Sequence, residues 1–391
     1  MRAPRQRSAN GLSQFRNERG SVLALVALLL IAFLGLAALA IDLGLLYVAR
    51  GEAQRAADAA AHAGAAYWMV TPNATDQAIK EEAVRVGELN LVRGGMVSIE
   101  LDDVEVLRDE RKVRASVYRN ADRDNPVQTL FARAIGFNEV GVAALAAAQI
   151  WPGVASDCIL PFAIPDLWYV REEDGGLRPA RIDDVWDEDR GDVYVPADGT
   201  HDSSLGSPPY TGYGTARIGD LIQISPASQQ ESPMPSWYYQ IDLPEFSNLR
   251  RAIEGCASDE VYEMGDEIDI DTGFSVGQVR HGFNDIFTDP IEKDIFWDDG
   301  QKCPVRTAGG SCVGPESRRV RPVVMFDPRD WDDLSPGKQP LRIQTLGGVF
   351  LDDWDGNTGI TVRWMSYDAT RAASDWRDCP DCLLRVLRIV E

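Results

Sequence analysis

Cysteines are the residues of this chain whose types and spacing point most directly to chemistry. All six lie on the C-terminal side of an apolar segment near the N-terminus. An even number of cysteines in an extracytoplasmic region is typical of a disulfide framework. The eight residues between Cys303 and Cys312 are rich in glycine and proline, which predicts a hairpin closed by a disulfide. The six candidates are Cys158, Cys256, Cys303, Cys312, Cys379 and Cys382.

Cys379-Pro380-Asp381-Cys382 is a C-x-x-C motif, which suits either redox chemistry or a structural bridge. A redox role needs a thiolate of low pKa at a helix start, and the following residues fit a helix and a strand equally well. The four additional cysteines favour a structural bridge, either within the pair or to Cys158 and Cys256. A zinc site is disfavoured because the sequence has no second C-x-x-C and no spaced histidine pair.

Acidic clusters raise the question of calcium. The sequence Asp353-x-Asp355-x-Asn357 has the first three spacings of an EF-hand loop. Thr358 then occupies the position that needs glycine, and Trp364 occupies the position of the bidentate glutamate. We therefore predict no metal ligands and no cofactor, with calcium as the one ion that the acidic clusters could hold.

Groups for catalysis are scarce in this sequence. The only histidines are His62, His201 and His281, and the G-x-S-x-G, H-E-x-x-H and Walker A patterns are missing. We predict that the protein is not an enzyme and has no catalytic residue. The formal net charge of -22 also argues against nucleic acid as a partner, because the acidic surface repels phosphates.

The side of the membrane on which the cysteines and acidic clusters lie depends on an apolar run from Ser21 to Ile41. This run contains no charged residue. As a helix, it would span a bilayer hydrocarbon core of about 30 Å. The 20 residues before it contain five arginines and one glutamate, and the positive-inside rule places them in the cytoplasm. We predict a cytoplasmic tail at 1–20, a single transmembrane helix at 21–41 in the inner membrane, and an extracytoplasmic remainder.

A cleaved signal peptide is the alternative interpretation of the same run. Ala38-Leu39-Ala40 fits the A-x-A pattern that precedes a cleavage site. However, the run is longer than a signal-peptide core of about 7–15 residues. The helical pattern also continues without proline as far as Thr71-Pro72. Both features favour an anchor that is retained.

The helix predicted after the apolar run carries a row of small side chains, here called the alanine seam. Residues four apart lie on one helix face, where small side chains allow another backbone to approach closely. Two interpretations fit: the seam packs on the protein's own small domain, or it packs on neighbouring subunits. The seam consists of Ala49, Ala53, Ala57, Ala61 and Ala65.

The N-terminal segment resembles TadE/TadG-like proteins of the Flp (Tad) pilus-assembly system. The residues that carry the resemblance are Arg19-Gly20, Ala40-Ile41-Asp42-Leu43-Gly44, and Gln54 with the alanine-rich stretch 56–61. The stretch Val127 to Gln149 is similar to the end of the small domain in TadG-like proteins. The resemblance covers about the first 150 residues.

One residue departs from the pilin pattern. Type IV pilins are cut after a glycine and carry a glutamate at the fifth position of the new N-terminus, but a cut after Gly20 would place Leu25 there. The resemblance therefore implies an uncleaved, anchored protein of the TadG-like type.

The sequence predicts an α+β protein. Residues 42–150 read as a long pilin-like helix and a small α/β unit, with a hairpin turn at 108–111 and helical spacing at Leu130, Ala134 and Ile135. The stretch 141–150 fits a strand and a helix equally. Trp151-Pro152-Gly153 marks a change in composition. Residues 151–391 read as an acidic, disulfide-containing, mainly β or α+β extracytoplasmic domain.

The apolar run predicts a membrane-anchored protein, and the resemblance implies a role in Flp pilus assembly, as an assembly or accessory protein. It would act without catalysis, through contacts with other pilus-assembly or envelope proteins, in surface attachment or biofilm formation. One alternative is a secreted binding protein or hydrolase with a cleaved signal peptide, able to bind calcium. Another is a minor pilin.

Overall fold

The computed structural model describes most of the chain. The described residues are 18–197, 210–227, 232–257, 259–270, 275–333, 339–374, 379 and 381–390. The basic tail as far as residue 17 and His201 lie outside them.

The elements are numbered in chain order. The helices are α1 (Glu18–Val70), α2 (Asp76–Gly87), α3 (Leu249–Glu254) and α4 (Val276–Phe287). The first strands are β1 (Leu91–Val92), β2 (Gly95–Met96), β3 (Val104–Leu107), β4 (Lys112–Arg119), β5 (Val127–Gln128), β6 (Glu139–Val140) and β7 (Val142–Ser156). The next are β8 (Phe162–Pro165), β9 (Tyr169–Arg171), β10 (Leu177–Pro179), β11 (Leu221–Pro226), β12 (Trp237–Gln240), β13 (Tyr262–Glu263), β14 (Glu267–Ile270), β15 (Phe296–Asp298) and β16 (Cys303–Val305). The last are β17 (Val320–Phe326), β18 (Gln339–Arg342), β19 (Thr345–Trp354), β20 (Ile360–Met365), β21 (Tyr367–Asp368), β22 (Arg371–Ala372) and β23 (Leu384–Ile389).

Helix α1 is one unbroken helix of 53 residues, about 80 Å long at a rise of 1.5 Å per residue. Alanine and leucine favour the helix, and it ends at Val70, immediately before Thr71-Pro72. Within the described residues, it is the one helix long and apolar enough to cross a membrane, and its most apolar window is wholly exposed. Its C-terminal third, in contrast, is buried in the protein.

The C-terminal part of α1 packs with α2 on an antiparallel sheet whose order is β3-β4-β7-β23. Strand β4 alternates buried and half-buried residues, as expected of a strand with one face on a core. All five residues of the alanine seam are fully buried against this sheet and α2. The seam is therefore occupied within the chain, which leaves this helix face unavailable to a neighbouring subunit.

Strand β7 is 15 residues long and connects the two halves of the protein. Its first eight residues pair with β4, and residues 148–152 pair with β23 from the C-terminus. Trp151-Pro152-Gly153, where the composition changes, thus lies within β7. The composition changes here while the backbone pairing continues.

The larger half is built on a closed six-stranded barrel with the order β11-β12-β8-β17-β19-β20. Helices α3 and α4 pack together beside it, and the amphipathic α4 buries Phe283 and Ile286 in its core. Among the largest fully buried side chains are Phe162, Tyr238, Phe326, Phe350 and Trp364. The structure therefore agrees with the predicted α+β class in its broad outline, which is a long apolar helix followed by a mainly β domain.

Two local predictions were resolved by tertiary contacts. The helix suggested by Leu130, Ala134 and Ile135 is wrong, because this stretch holds a single 3-10 turn, Ala132–Ile135. Gly136 ends that turn in the left-handed region at a φ of 96°. The ambiguous stretch 141–150 is a strand, because partner strands pair with both of its edges.

Close packing between α1 and α2 yields a prediction for a matched pair of glycines. A Cβ at Gly87 would lie 2.4 Å from Ile99 Cδ1 and 2.9 Å from Ala60 Cβ, whereas a Cβ at Gly51 meets no atom within 4 Å. We expect Gly87→Ala to destabilise the small unit by about 1–3 kcal/mol through overpacking. Gly51→Ala should stabilise α1 by up to about 1 kcal/mol.

Amide hydrogen exchange of β4 in the detergent-solubilised protein measures both effects. Equal exchange rates in the two variants would show that the interface of α1 and α2 relaxes without cost.

Candidate functional site

The carboxylate of Asp42 holds a surface loop against α1 at the end of the exposed apolar segment. Its Oδ1 accepts the N–H of Leu130 at 2.9 Å, and its Oδ2 accepts the N–H of Phe131 at 3.0 Å and that of Ala132. Asp42 itself is only 5% exposed. We call residues 130–137 the clasp loop, and its contact with Asp42 the clasp.

The clasp gives this carboxylate the surroundings of a charged group. Three backbone N–H groups donate to it, and Arg133 lies nearby. The charge also faces the N-terminus of the 3-10 turn, whose free N–H groups favour an anion. Asp42 therefore serves as an anionic cap on the clasp loop.

Other polar residues of α1 also bind the small unit through the backbone. Gln54 donates to the carbonyl of Leu145 in β7 at 2.9 Å and to Asp58 at 3.0 Å. The Glu52 carboxylate accepts the N–H of Arg93 at 2.6 Å. The polar positions between the buried alanines thus serve mainly to fix the helix on its sheet.

The residues of α1 that make these contacts lie in the part of the chain that matches a known protein family. Residues 20–66 match the family described as Flp pilus-assembly TadE/G-like. This is the family that the sequence resembles. The matched segment contains the exposed apolar part of α1, Asp42, Gln54 and the whole alanine seam. No curated protein and no solved structure matches the chain.

A cavity of about 270 Å³ lies where the small unit meets the C-terminal half. Arg108, Arg111 and Arg385 line it. Arg111 forms an ion pair with Asp381 at 3.4 Å, and Asp381 also accepts the hydroxyl of Thr215 at 3.3 Å. Asp381 therefore links the β3–β4 turn to the barrel side.

One of the arginines that line this cavity has an unusually low pKa. Burial and the like charge of Arg111 lower the pKa of Arg385 to about 9. Arg108 forms an ion pair with Asp76 at 2.7 Å and lies over the ring of Trp68. Arg108 therefore makes its contacts within the small unit, and Arg111 is the arginine whose ion pair crosses to the C-terminal half.

All six candidate cysteines form disulfides in three pairs, Cys158–Cys256, Cys303–Cys312 and Cys379–Cys382. Cys303 begins β16, and Cys312 forms an isolated antiparallel bridge with Val305 of the same strand, so the disulfide closes the predicted hairpin-like loop. The C-x-x-C cysteines pair with each other and are followed by strand β23. The helix start that would stabilise a reactive thiolate is therefore missing from this motif.

A buried carboxyl group that sequence reasoning missed lies at the end of β8. Asp166 is fully buried and accepts the hydroxyls of Tyr194 and Tyr210 and the backbone N–H groups of Leu167 and Tyr213. Burial raises its pKa to about 6, although all four hydrogen bonds act to lower it. Such a contact network between distant segments leaves no pattern in the sequence.

The acidic stretch considered for calcium forms the turn between β19 and β20. Asp353 accepts the N–H of Trp354, and Asp355 accepts that of Asn357. Throughout the described part of the chain, no group of three or more histidine, cysteine, aspartate or glutamate residues is arranged to hold a metal ion. His62 and His281 are both exposed on helices.

Removing the Asp42 carboxylate should release the clasp loop. Asp42→Ala leaves three backbone N–H groups without their acceptor, and hydrogen bonds to a charged group contribute about 1.5–3 kcal/mol each. We expect tryptic cleavage after the exposed Arg133 to become at least about tenfold faster, because cleavage follows the population of the open loop. Mass spectrometry of the detergent-solubilised protein measures the rate.

Asp102→Ala, which removes an exposed carboxylate of the same unit, is the control. An unchanged cleavage rate in the Asp42 variant would mean that the hydrogen bonds do not hold the loop.

Asp166 predicts a specific pH dependence of stability. A raised pKa in the folded state means that its stabilising contribution is complete below about pH 4 and is lost as the pH rises through about 6. Relative to Asp166→Asn, the wild-type protein should lose roughly 3 kcal/mol of unfolding free energy between pH 4 and pH 7. Urea unfolding at both pH values measures this difference.

Asp294→Asn, at an exposed position of the same half, should show no such change relative to the wild type. A wild-type advantage over Asp166→Asn that grows with pH would contradict the assignment.

Proposed function

We propose that this protein is a single-pass, membrane-anchored component of Flp pilus assembly that acts through protein contacts in the cell envelope. The observation that carries the proposal is the match of residues 20–66, which coincides with the exposed apolar part of α1 and the packed part that follows it. In this proposal, the exposed half of α1 lies in the bilayer and the other half is the central helix of the first extracytoplasmic unit.

Charge and disulfides support an orientation with the N-terminus in the cytoplasm. Five arginines precede the apolar segment, as the positive-inside rule requires of a cytoplasmic flank. All six cysteines on the other side form disulfides, which persist in an oxidising compartment. We therefore propose the inner membrane as the location, with residues 42–391 in the periplasm.

The mechanical role follows from the continuity of α1. A single helix that passes from the bilayer into a close-packed sheet transmits its position to that sheet without a flexible linker. The sheet continues through β7 to the barrel half, whose acidic surface would contact pilus or envelope partners. In this proposal the protein has no catalytic residue, and roles in attachment and biofilm formation follow from pilus assembly.

A secreted binding protein with a cleaved signal peptide remains the second candidate. Its cleavage site, Ala38-Leu39-Ala40, lies within the unbroken helix, whereas signal peptidase acts on an accessible segment. Cleavage there would also leave Asp42 at a free chain end. The helix therefore supports the retained anchor over the secreted form, and a minor pilin is a further alternative.

Membrane fractionation with intact-mass measurement tests the proposal in the native host. We expect the full chain of 391 residues in the membrane fraction, extracted by detergent but retained at alkaline pH and at high salt. A soluble form that begins near Ile41 would contradict the anchor and favour the secreted protein.

A deletion strain separates assembly from incorporation into the pilus. Loss of surface filaments on deletion, with the protein missing from sheared filaments, would support an assembly role. Its recovery within purified filaments would instead support the minor pilin, and filaments unaffected by the deletion would contradict the pilus function.

A further inference from the structure

The clasp loop exposes four large apolar side chains within eight residues. Ile135 is 77% exposed and Phe137 64%, and Leu130 and Phe131 are each almost half exposed. A cluster of this kind on a loop marks a surface that contacts something other than water. The question is what covers it.

The loop lies beside the exposed apolar surface of α1. Its backbone binds Asp42, and the helix side chains on either side, Ile41 and Leu43, are themselves about half exposed. The apolar patch of the loop is thus continuous with the surface proposed to contact lipid.

The length of the exposed helix surface indicates the depth of the clasp loop in the bilayer. Between Gly20 and Ala49, Asp42 is the only charged residue, and the clasp buries its carboxylate. Apolar exposure continues beyond it to Tyr47 and Val48. The 21 residues from Ser21 to Ile41 span about 31 Å, which matches a hydrocarbon core of about 30 Å. With this segment in the core, the region around Asp42 lies where the core meets the outer interfacial layer.

We propose that the clasp loop inserts into the outer interfacial layer of the bilayer, with Ile135 and Phe137 in contact with lipid and the Asp42 carboxylate shielded beneath the loop. This inference rests on the proposed membrane anchor. Aromatic side chains are favoured at this depth, and the exposed Arg133 of the loop can reach lipid phosphates while its stem stays in the apolar layer.

A second lipid contact would change what the anchor does. A single helix can tilt in the bilayer, and the rigidly attached domain tilts with it. A loop inserted beside the helix restricts that tilt, because tilting would move the loop out of the interfacial layer. The acidic barrel half then keeps a more defined angle to the membrane. The clasp thus orients the partner-binding half as well as capping a turn.

Spin labelling measures the depth of the loop in the full-length protein. Every native cysteine is in a disulfide, so an introduced cysteine is the only free thiol. Ile135→Cys and Phe137→Cys carry the label in the loop. Leu34→Cys is the control in the proposed span, and Ile291→Cys, an exposed apolar position near the barrel, is the aqueous control. The protein is placed in nanodiscs of phosphatidylcholine and phosphatidylglycerol, and the label's collision rates with oxygen and with a water-soluble nickel chelate are compared.

We expect the labels at 135 and 137 to collide at least about fivefold more often with oxygen than with the nickel chelate, relative to the label at 291, as the label at 34 does. Labels at 135 and 137 that behave like the one at 291, with 34 in lipid, would overturn the inference but leave the anchor intact. A label at 34 in water would overturn the anchor as well. Labels in the loop that are shielded from both reagents would indicate a protein partner in place of lipid, which also overturns the inference.

Discussion

Close packing between the alanine face of α1 and the sheet of β4 and β7 is the constraint on which the rest of the structure depends. Helix and strands approach closely because the buried helix face from Ala49 to Ala65 carries only methyl groups and hydrogen atoms. A larger side chain on this face would push α1 away from the sheet and would also displace α2, which packs on both. The hydrogen bonds of Glu52 and Gln54 to the backbone then fix the helix along its axis. The result is a rigid connection between an apolar helix and a folded domain.

This connection reaches the distant half of the protein through β7. The strand leaves the helix layer, passes the point where composition changes and pairs with the C-terminal strand β23. The ion pair between the side chains of Arg111 and Asp381 also links the two halves at this junction. Because the matched family segment contains the apolar part of α1, Asp42 and the seam together, the family pattern coincides with the parts that create this rigidity. The barrel half lies outside the match.

Two buried ionisable groups of the barrel half hold distant segments together. Asp166 has four hydrogen-bond donors and no solvent contact, and the buried Arg319 donates to the backbone carbonyls of Glu292, Ile295, Leu351 and Asp352. Both groups cross-link segments that are distant in the chain, as the disulfides do. Asp42 does the same at the end of the exposed apolar segment. A protein built in this way is suited to holding a surface in a fixed place, which fits the assembly role proposed for it.

Local patterns in the sequence were sufficient to predict the elements that are stabilised by contacts between neighbouring residues. The apolar run, the i, i+4 alanine row and the 108–111 hairpin turn were all readable, because helix periodicity and turn chemistry involve neighbouring residues. The motif around Asp42 was noticed only through the resemblance, and its contact with the clasp loop was not predicted. Tertiary structure alone decided that 141–150 is a strand, since both of its partners come from elsewhere in the chain. The stretch around Ala134 is a single turn that Gly136 ends, and only tertiary structure shows that the carboxylate of Asp42, about 90 residues earlier, accepts the N–H groups at the start of that turn. The buried Asp166 and the return of the C-terminus to β7 depend on contacts of the same long range, and such contacts leave no periodic signal.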